Sequence, residues 1–173
     1  MKSLKTIIIL ITGILFTSCI GTSGPAGPEG PAGESAEVYS ETIIIDSEVD
    51  FVIDDEFVSI ASYGWNILDE ATVDEGLVLG YIRFNGSTPW HALPISTPFE
   101  NDIVILRYSF DIDDFTLILE GEVANNNEAN ENLFDGDVLR VVAIPPTLLA
   151  KAKGLDYTNY EAVVKAYNLV FED

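Results

Sequence analysis

Short stretches in which hydrophobic and polar residues alternate are the most frequent pattern beyond residue 40. In residues 49–54 the apolar side chains interleave with aspartates, and in residues 115–120 they interleave with Thr116 and Glu120. Because successive side chains of a strand point to opposite faces, this pattern predicts strands with one buried face. Four other stretches are apolar at consecutive positions and predict central strands: residues 43–45, 77–84, 103–110 and 138–144.

Turn-forming residues separate these predicted strands at regular distances. Clusters of Asp, Asn and Gly occur at residues 54–56, 85–86, 111–114 and 135–137. About seven to eight strands at this spacing, without long helices between them, indicate a mainly β protein, namely an antiparallel β-sandwich, with an open barrel as the alternative. The polar residues 125–132 are predicted to form a loop between the last two strands.

Three segments have a helical pattern instead. Residues 66–75 end at Gly76, a candidate C-cap, and residues 146–153 begin with proline. At the C-terminus, Thr158 and Glu161 have the spacing of a capping box. The apolar residues after this box fall on one helix face, so we expect a closing helix on the sheet edge; they are Tyr160, Val163, Val164 and Tyr167.

The N-terminus has the pattern of an export signal. Lys2 and Lys5 precede an apolar run over residues 7–16, and Thr17 and Ser18 precede Cys19. The run is shorter than the roughly 20 residues needed to span a membrane. Residues 16–19 resemble a bacterial lipobox, so residues 1–18 are predicted to be a lipoprotein signal peptide and Cys19 the lipid-modified residue. An unmodified residue after an ordinary signal-peptidase site is the alternative.

Glycine then recurs at every third position over residues 24–33, with proline after most of these glycines. This is the collagen repeat, but so few triplets cannot hold a triple helix by themselves. We therefore predict that residues 19–35 are a lipidated spacer, with homotrimer formation as the alternative, and that residues 36–173 form one acidic domain.

The charge balance restricts the classes of partner. The chain has 29 acidic and 8 basic residues, and removal of residues 1–18 would change its formal charge from −21 to −23. Such a surface repels phosphates, so neither nucleic acid nor anionic lipid headgroups are expected ligands. The predicted contact with the membrane is therefore the N-terminal lipid alone.

Candidate chemistry is limited by residue types. A hydrolytic triad or zinc site would need histidines, and the chain has only His91. A pair of carboxylates could hydrolyse glycosides, which leaves a glycoside hydrolase-type enzyme as a minor alternative to a protein that is not an enzyme. Calcium is the one cofactor considered, since acidic turns supply oxygen ligands; the candidates are Asp111, Asp113, Asp114, Asp135 and Asp137.

Aromatic residues suggest a second kind of ligand. Sugar rings stack on flat aromatic side chains, and four residues could supply such a platform: Tyr63, Trp65, Tyr81 and Trp90. A carbohydrate-binding surface module is therefore the main alternative function. The competing interpretation is that these rings fill the core or hold a helix.

Considered together, these segments resemble small collagen-like lipoproteins of Gram-negative outer membranes. The resemblance covers most of the chain after residue 18 and rests on Cys19, the Gly-Pro triplets and residues 76–81, 90–94, 135–137, 140–145, 156–157 and 160–163. It implies lipid anchoring to the outer membrane and implies no activity. Residues 20–23 contain no acidic residue, so the periplasmic or extracellular face is left open. We expect an envelope-anchored lipoprotein with a non-enzymatic structural or interaction domain.

Overall fold

The computed structural model describes residues 37–46, 51–55, 57–99, 102–121, 133–149 and 152–171. These residues all fall in one compact unit, Ser35–Asp173. The predicted signal peptide, Cys19, the spacer and the predicted loop at residues 125–132 lie outside the described residues.

The described part of the chain contains nine strands in two antiparallel sheets and three short helices. The strands are β1 (Tyr39–Ile44), β2 (Val52–Asp55), β3 (Val58–Gly64), β4 (Leu77–Arg83), β5 (His91–Ala92), β6 (Ile95–Phe99), β7 (Asp102–Asp111), β8 (Asp114–Glu120) and β9 (Val138–Ile144). The helices are α1 (Glu70–Glu75), α2 (Pro146–Leu149) and α3 (Tyr160–Tyr167). Sheet I has the order β1-β9-β4-β5 and sheet II the order β2-β3-β8-β7-β6. Neither sheet closes into a barrel, so the predicted sandwich is confirmed.

The main core lies between the two sheets. Phe115, Leu117 and Leu119 alternate along β8 and are buried, as the sequence pattern predicts. They share one hydrophobic cluster with Leu139 and Val141 of β9. Fully burying one such side chain contributes about 1.5–3 kcal/mol, so the facing rows of these two central strands hold the sheets together.

Helix α1 is shorter than predicted. Residues 66–69 precede it, and the Asp69 side chain caps it by accepting a hydrogen bond from the Thr72 backbone N–H at 2.8 Å. Gly76 is the C-cap residue but has an extended backbone, with φ −85°. A Cβ atom at Gly76 would lie 2.7 Å from the carbonyl oxygen of Ile144. Glycine is required there because the chain passes close to β9.

Helix α3 covers the outer face of sheet I. Its residues Tyr160 and Val163 are buried in a second cluster with Tyr81, Val142 and Ile144. The predicted apolar face is thus confirmed, but the helix packs on the face of central strands and not on the sheet edge. The N-cap is Asn159, whose side chain accepts from the Ala162 N–H. The predicted cap, Thr158, instead donates its hydroxyl to Asp156.

One of the four stretches predicted to form central strands is an edge strand, and another is central but exposed on one face. β4 and β9 are central and largely buried, as expected. β1 is an edge strand with Ile44 70% exposed, and β7 exposes Ile103 and Ile105 on its outer side. The reason is that α3 covers the outer face of β4 and β9, whereas these β7 side chains lie on the outer face of sheet II and stay exposed.

Candidate interaction surface

The outer face of sheet II carries a row of aliphatic side chains. Strand register places Val52 opposite Ile60, and Ile60 opposite Ile118, so these three residues line up across β2, β3 and β8. Ile118 is followed in the same row by Arg107 of β7. Side chains directly opposite one another on a sheet face lie in contact range. The row is therefore a continuous apolar strip that ends at a cation.

β7 extends this strip toward the edge of the sheet. Ile105 lies opposite Glu120, and Ile103 lies opposite Pro98 of β6. Ile103 is 64% exposed and Val52 63% exposed. We call the set Val52, Ile60, Ile103, Ile105 and Ile118 the open face. Ile105 is 37% exposed, Ile60 is half-buried and Ile118 is only 7% exposed, so the exposed members are Val52, Ile103 and Ile105. Exposed apolar groups connected in this way are typical of a binding surface.

Polar side chains border the open face, and they are paired with one another. The Arg107 Nε donates to Glu120 Oε1 at 2.7 Å, from one strand to the next. Farther along, the hydroxyls of Ser62 and Thr116 are hydrogen-bonded at 3.0 Å. The Arg107–Glu120 pair is partly exposed, so it contributes at most about 1 kcal/mol to stability. Its main effect is to pair the arginine charge that adjoins the aliphatic side chains of this face.

The surroundings of the open face are acidic. The strands of sheet II contain six acidic residues and one basic residue; the acids are Asp54, Asp55, Asp102, Asp111, Asp114 and Glu120, and the base is Arg107. The whole chain has a formal charge of −21. A partner that covers the aliphatic strip would therefore gain from lysine or arginine at its own border.

The corresponding face of sheet I is closed by a cage around Arg140. This β9 residue is 5% exposed, and its guanidinium carbon lies 3.6 Å from the ring centre of Phe171 and 4.6 Å from that of Trp90. Its Nε donates to Thr42 Oγ1 at 3.0 Å, and its Nη1 donates to the Tyr160 hydroxyl. The cage ties β1, β9, α3 and the C-terminal segment together. Its cation is committed to intramolecular contacts.

A further hydrogen bond fixes the segment before α3 to the same sheet. The Tyr81 hydroxyl donates to the Tyr157 carbonyl oxygen at 2.7 Å. Burial raises the pKa of Tyr81, because its ionised form would lose hydration under the helix layer. The outer face of sheet I is thus a second core over β4 and β9, whereas Ile44 on the edge strand β1 stays 70% exposed. On sheet II the exposed aliphatics extend from the edge strand β2 to β7.

The four aromatic residues predicted to bind sugar do not share one surface. Trp65 and Tyr63 belong to the core between the sheets, whereas Tyr81 and Trp90 belong to the cluster under α3. Trp65 and Tyr81 are buried. Trp90 is half-buried, stacked on Tyr160 with ring centres 4.8 Å apart. The predicted platform is therefore not formed, because the large rings are used to fill the two clusters.

The five aspartates predicted to bind calcium serve as turn residues. Asp113 has a left-handed backbone, φ 61°, in the tight β7–β8 turn. At the same turn, the Asp111 side chain accepts from the Ile112 N–H at 2.7 Å, and Asp114 accepts from the Thr116 hydroxyl at 2.8 Å. These two carboxylates therefore accept hydrogen bonds from residues close to them in the sequence.

The other turn contains Asp135, which is exposed, and Asp137, which is 5% exposed. The Asp137 carboxylate accepts from the Asn85 N–H at 2.6 Å. Burial raises the pKa of Asp137 above its usual value, against the opposing effect of that hydrogen bond. Among the described residues, no His, Cys, Asp and Glu side chains form a group of three or more that could hold a metal ion.

His91 occupies the edge strand β5. It is half-buried at the end of sheet I, and its ring lies 5.3 Å from that of Phe84. This contact packs the imidazole against Phe84.

The helices of the described residues are all too short to span a membrane.

Comparison with protein-family models, with curated proteins and with solved structures gave no match for this chain.

Proposed function

We propose that the protein is an envelope-anchored lipoprotein whose sandwich is a non-enzymatic interaction module, with the open face as its binding surface. The observation that carries this proposal is the contrast between the two sheets. α3 and the Arg140 cage cover the central strands of sheet I and leave only its edge strand β1 with an exposed aliphatic, Ile44, whereas Val52 and Ile103 on sheet II expose more than half of their surface among the described residues. Aliphatic groups held on a rigid sheet, at no cost in loop ordering, suit the binding of a protein partner.

The partner we expect is a protein surface with an apolar centre and lysine or arginine around it. Hydrophobic contact would provide the affinity, and the acidic border of sheet II would select the charge of the partner. A glycan would need exposed rings, and the aromatic residues of the described domain are mostly committed to its two clusters. The proposed ligand is therefore a protein.

The proposed anchor is the lipid on Cys19. Several acyl chains on one residue, at about 0.8 kcal/mol per buried methylene, are sufficient for stable attachment. The Gly-Pro segment would act as a semi-rigid spacer that rises about 3.1 Å per residue. It would hold the acidic sandwich roughly 30–40 Å from the lipid and its headgroups. In this proposal the protein is exported to the outer membrane, and either face of that membrane is compatible with it.

The anchor is tested by replacing the cysteine. Cys19→Ser should abolish incorporation of radiolabelled palmitate and move the protein from the membrane to the soluble fraction. Ser18→Ala, which keeps a small residue before the cysteine, is the matched control and should behave as wild type. A Cys19→Ser protein that stays membrane-bound would overturn the anchoring proposal.

The binding surface is tested by charge insertion. Ile103→Lys should change the free energy of unfolding by no more than about 0.5 kcal/mol, because the side chain is exposed. It should nevertheless abolish partner binding, since a lysine in the middle of an apolar contact must lose its hydration. Ile112→Lys, at an exposed position in the β7–β8 turn, is the control. Turnover of a glycan by the purified protein would contradict the non-enzymatic assignment.

A further inference from the structure

The free edge of β1 is the least protected strand edge in the described domain. The other three edge strands carry features that discourage pairing. β5 has only two residues, β6 contains Pro98, and β2 is four residues long with a register irregularity and two aspartates. β1 has six residues, no proline, no lysine and a single charge, Glu41.

The backbone of β1 has hydrogen-bonding groups that point away from β9. Ile45, just after the strand, donates its N–H to Asp137 and accepts from Gly136, both at 2.9 Å. Backbone groups alternate in direction along a strand of an antiparallel pair. Since Ile45 bonds toward β9, the N–H and carbonyl groups of Ile44, Thr42 and Ser40 point toward the free edge.

A groove lies beside this edge, on the side of sheet I that carries the helices. It has a volume of about 500 Å³ and is formed by the start of β1, by α2, and by the end of α3 with the segment that follows it. Its apolar lining includes Val38, Leu148, Leu169 and Val170, and Val170 is 84% exposed. A strand added to β1 would point every second side chain to this side of the sheet.

The acidic residues beside the β1 edge indicate the charge of a strand that would bind there. Glu37 is the one charged side chain among the residues that line the groove, and Glu41 follows on β1. A second copy of this chain would bring another formal charge of −21 to the edge. Electrostatic repulsion therefore disfavours pairing of two β1 strands and favours a basic partner.

We propose that β1 and this groove form a docking site for an extended, basic peptide segment of a partner protein, which adds to sheet I as a fifth strand. Ser40, Thr42 and Ile44 supply the backbone hydrogen bonds, and the groove receives the apolar side chains of the peptide. This is the mode in which main-chain hydrogen bonds give affinity and side-chain pockets give specificity. The site is separate from the open face and does not depend on the function proposed for it.

The probe is a short fluorescein-labelled peptide of alternating valine and lysine, titrated against the full-length protein in detergent and followed by fluorescence anisotropy. A peptide of alternating valine and glutamate is the charge control. We expect saturable binding of the lysine peptide that weakens with added salt, and no binding of the glutamate peptide. Equal binding of both peptides, or binding of neither, would overturn the proposal.

Two variants, each with a matched control, locate the site. Ser40→Pro removes an N–H that points toward the free edge and leaves the bonds to β9 intact, so affinity should fall at least about tenfold. Ser40→Ala keeps that N–H and should bind within about twofold of wild type. Val170→Lys should weaken binding of the lysine peptide by repulsion, whereas Ile112→Lys should not. An unchanged melting temperature shows that each variant is folded.

These variants, together with Ile103→Lys, distinguish strand addition at β1 from self-association and from binding at the open face. If Ser40→Pro binds as well as wild type, the peptide does not add to β1. If the wild-type protein self-associates in sedimentation and Ser40→Pro does not, the occupant is a second copy and the basic-peptide assignment is wrong. If only Ile103→Lys abolishes binding, the peptide occupies the open face, which would overturn this proposal and leave the proposed function standing.

Discussion

Replacing Arg140 tests how the C-terminal segment is held on the sandwich. The guanidinium donates to Tyr160 and Thr42 and lies against the rings of Trp90 and Phe171. A hydrogen bond from a charged donor contributes about 1.5–3 kcal/mol when buried. Thr42 is exposed, so water can replace its bond, and the buried bond to Tyr160 carries most of this contribution.

The ring contacts add to the stability and the desolvation of the cation reduces it. A desolvated cation–π contact contributes about 2 kcal/mol, whereas bringing a guanidinium out of water costs several kcal/mol. Taking these together, we expect Arg140→Ala to lower the free energy of unfolding by about 3 kcal/mol. For a domain of this size that corresponds to a fall in melting temperature of roughly 10 °C.

Arg140→Met separates packing from polar contact. Methionine keeps most of the length of the side chain and removes both the charge and the hydrogen bonds, so we expect a loss of about 1–2 kcal/mol. Urea unfolding followed by circular dichroism measures both variants. If Arg140→Met is as stable as wild type, the cage acts by apolar packing alone, as happens when a buried ion is replaced by a hydrophobic residue of similar volume.

Three smaller changes follow from other contacts. Asp69→Ala should cost about 1 kcal/mol in urea unfolding, because α1 loses its N-cap; an unchanged midpoint would contradict the capping role. Asp137→Asn should raise the melting temperature at neutral pH, because the pKa of Asp137 is raised in the folded state and its ionised form therefore opposes folding. This gain should shrink as the pH falls through the raised pKa of Asp137, because the wild-type side chain then becomes neutral in the folded state; a lower melting temperature at neutral pH would show that the bond from Asn85 outweighs burial. Tyr108→Phe should cost about 1 kcal/mol, because the Tyr108 hydroxyl donates to the Val78 carbonyl across the core at 2.8 Å; unchanged thermal unfolding would contradict this.

The strands were predictable because their periodicity is local. Alternation along residues 115–120 identified both β8 and its buried side. The residues 103–110 and 138–144 have similar apolar runs, yet β7 exposes Ile103 and Ile105 and β9 is buried on both faces. That difference depends on which sheet α3 covers, and coverage is a long-range property that no short window of sequence contains.

The sites were less predictable for the same reason. The Arg140 cage assembles residues 42, 90, 140, 160 and 171, which no spacing rule connects. The four aromatic residues proposed as one platform belong to two separate clusters, and nothing in their sequence positions shows this division. The α3 cap is Asn159 and not Thr158, and the Thr158 hydroxyl is instead hydrogen-bonded to Asp156. Thr158 and Asn159 are adjacent and either could cap a helix, so the sequence did not show which of them would be the N-cap.

Photo-cross-linking in whole cells tests the open face most directly. A photoreactive amino acid replaces Ile103 in the full-length protein, and the control places it at Asp74, an exposed residue of α1. The account predicts a discrete cross-linked protein species from Ile103 that disappears when Val52→Lys is added, and none from Asp74. No species from Ile103, or the same species from both positions, would contradict the account.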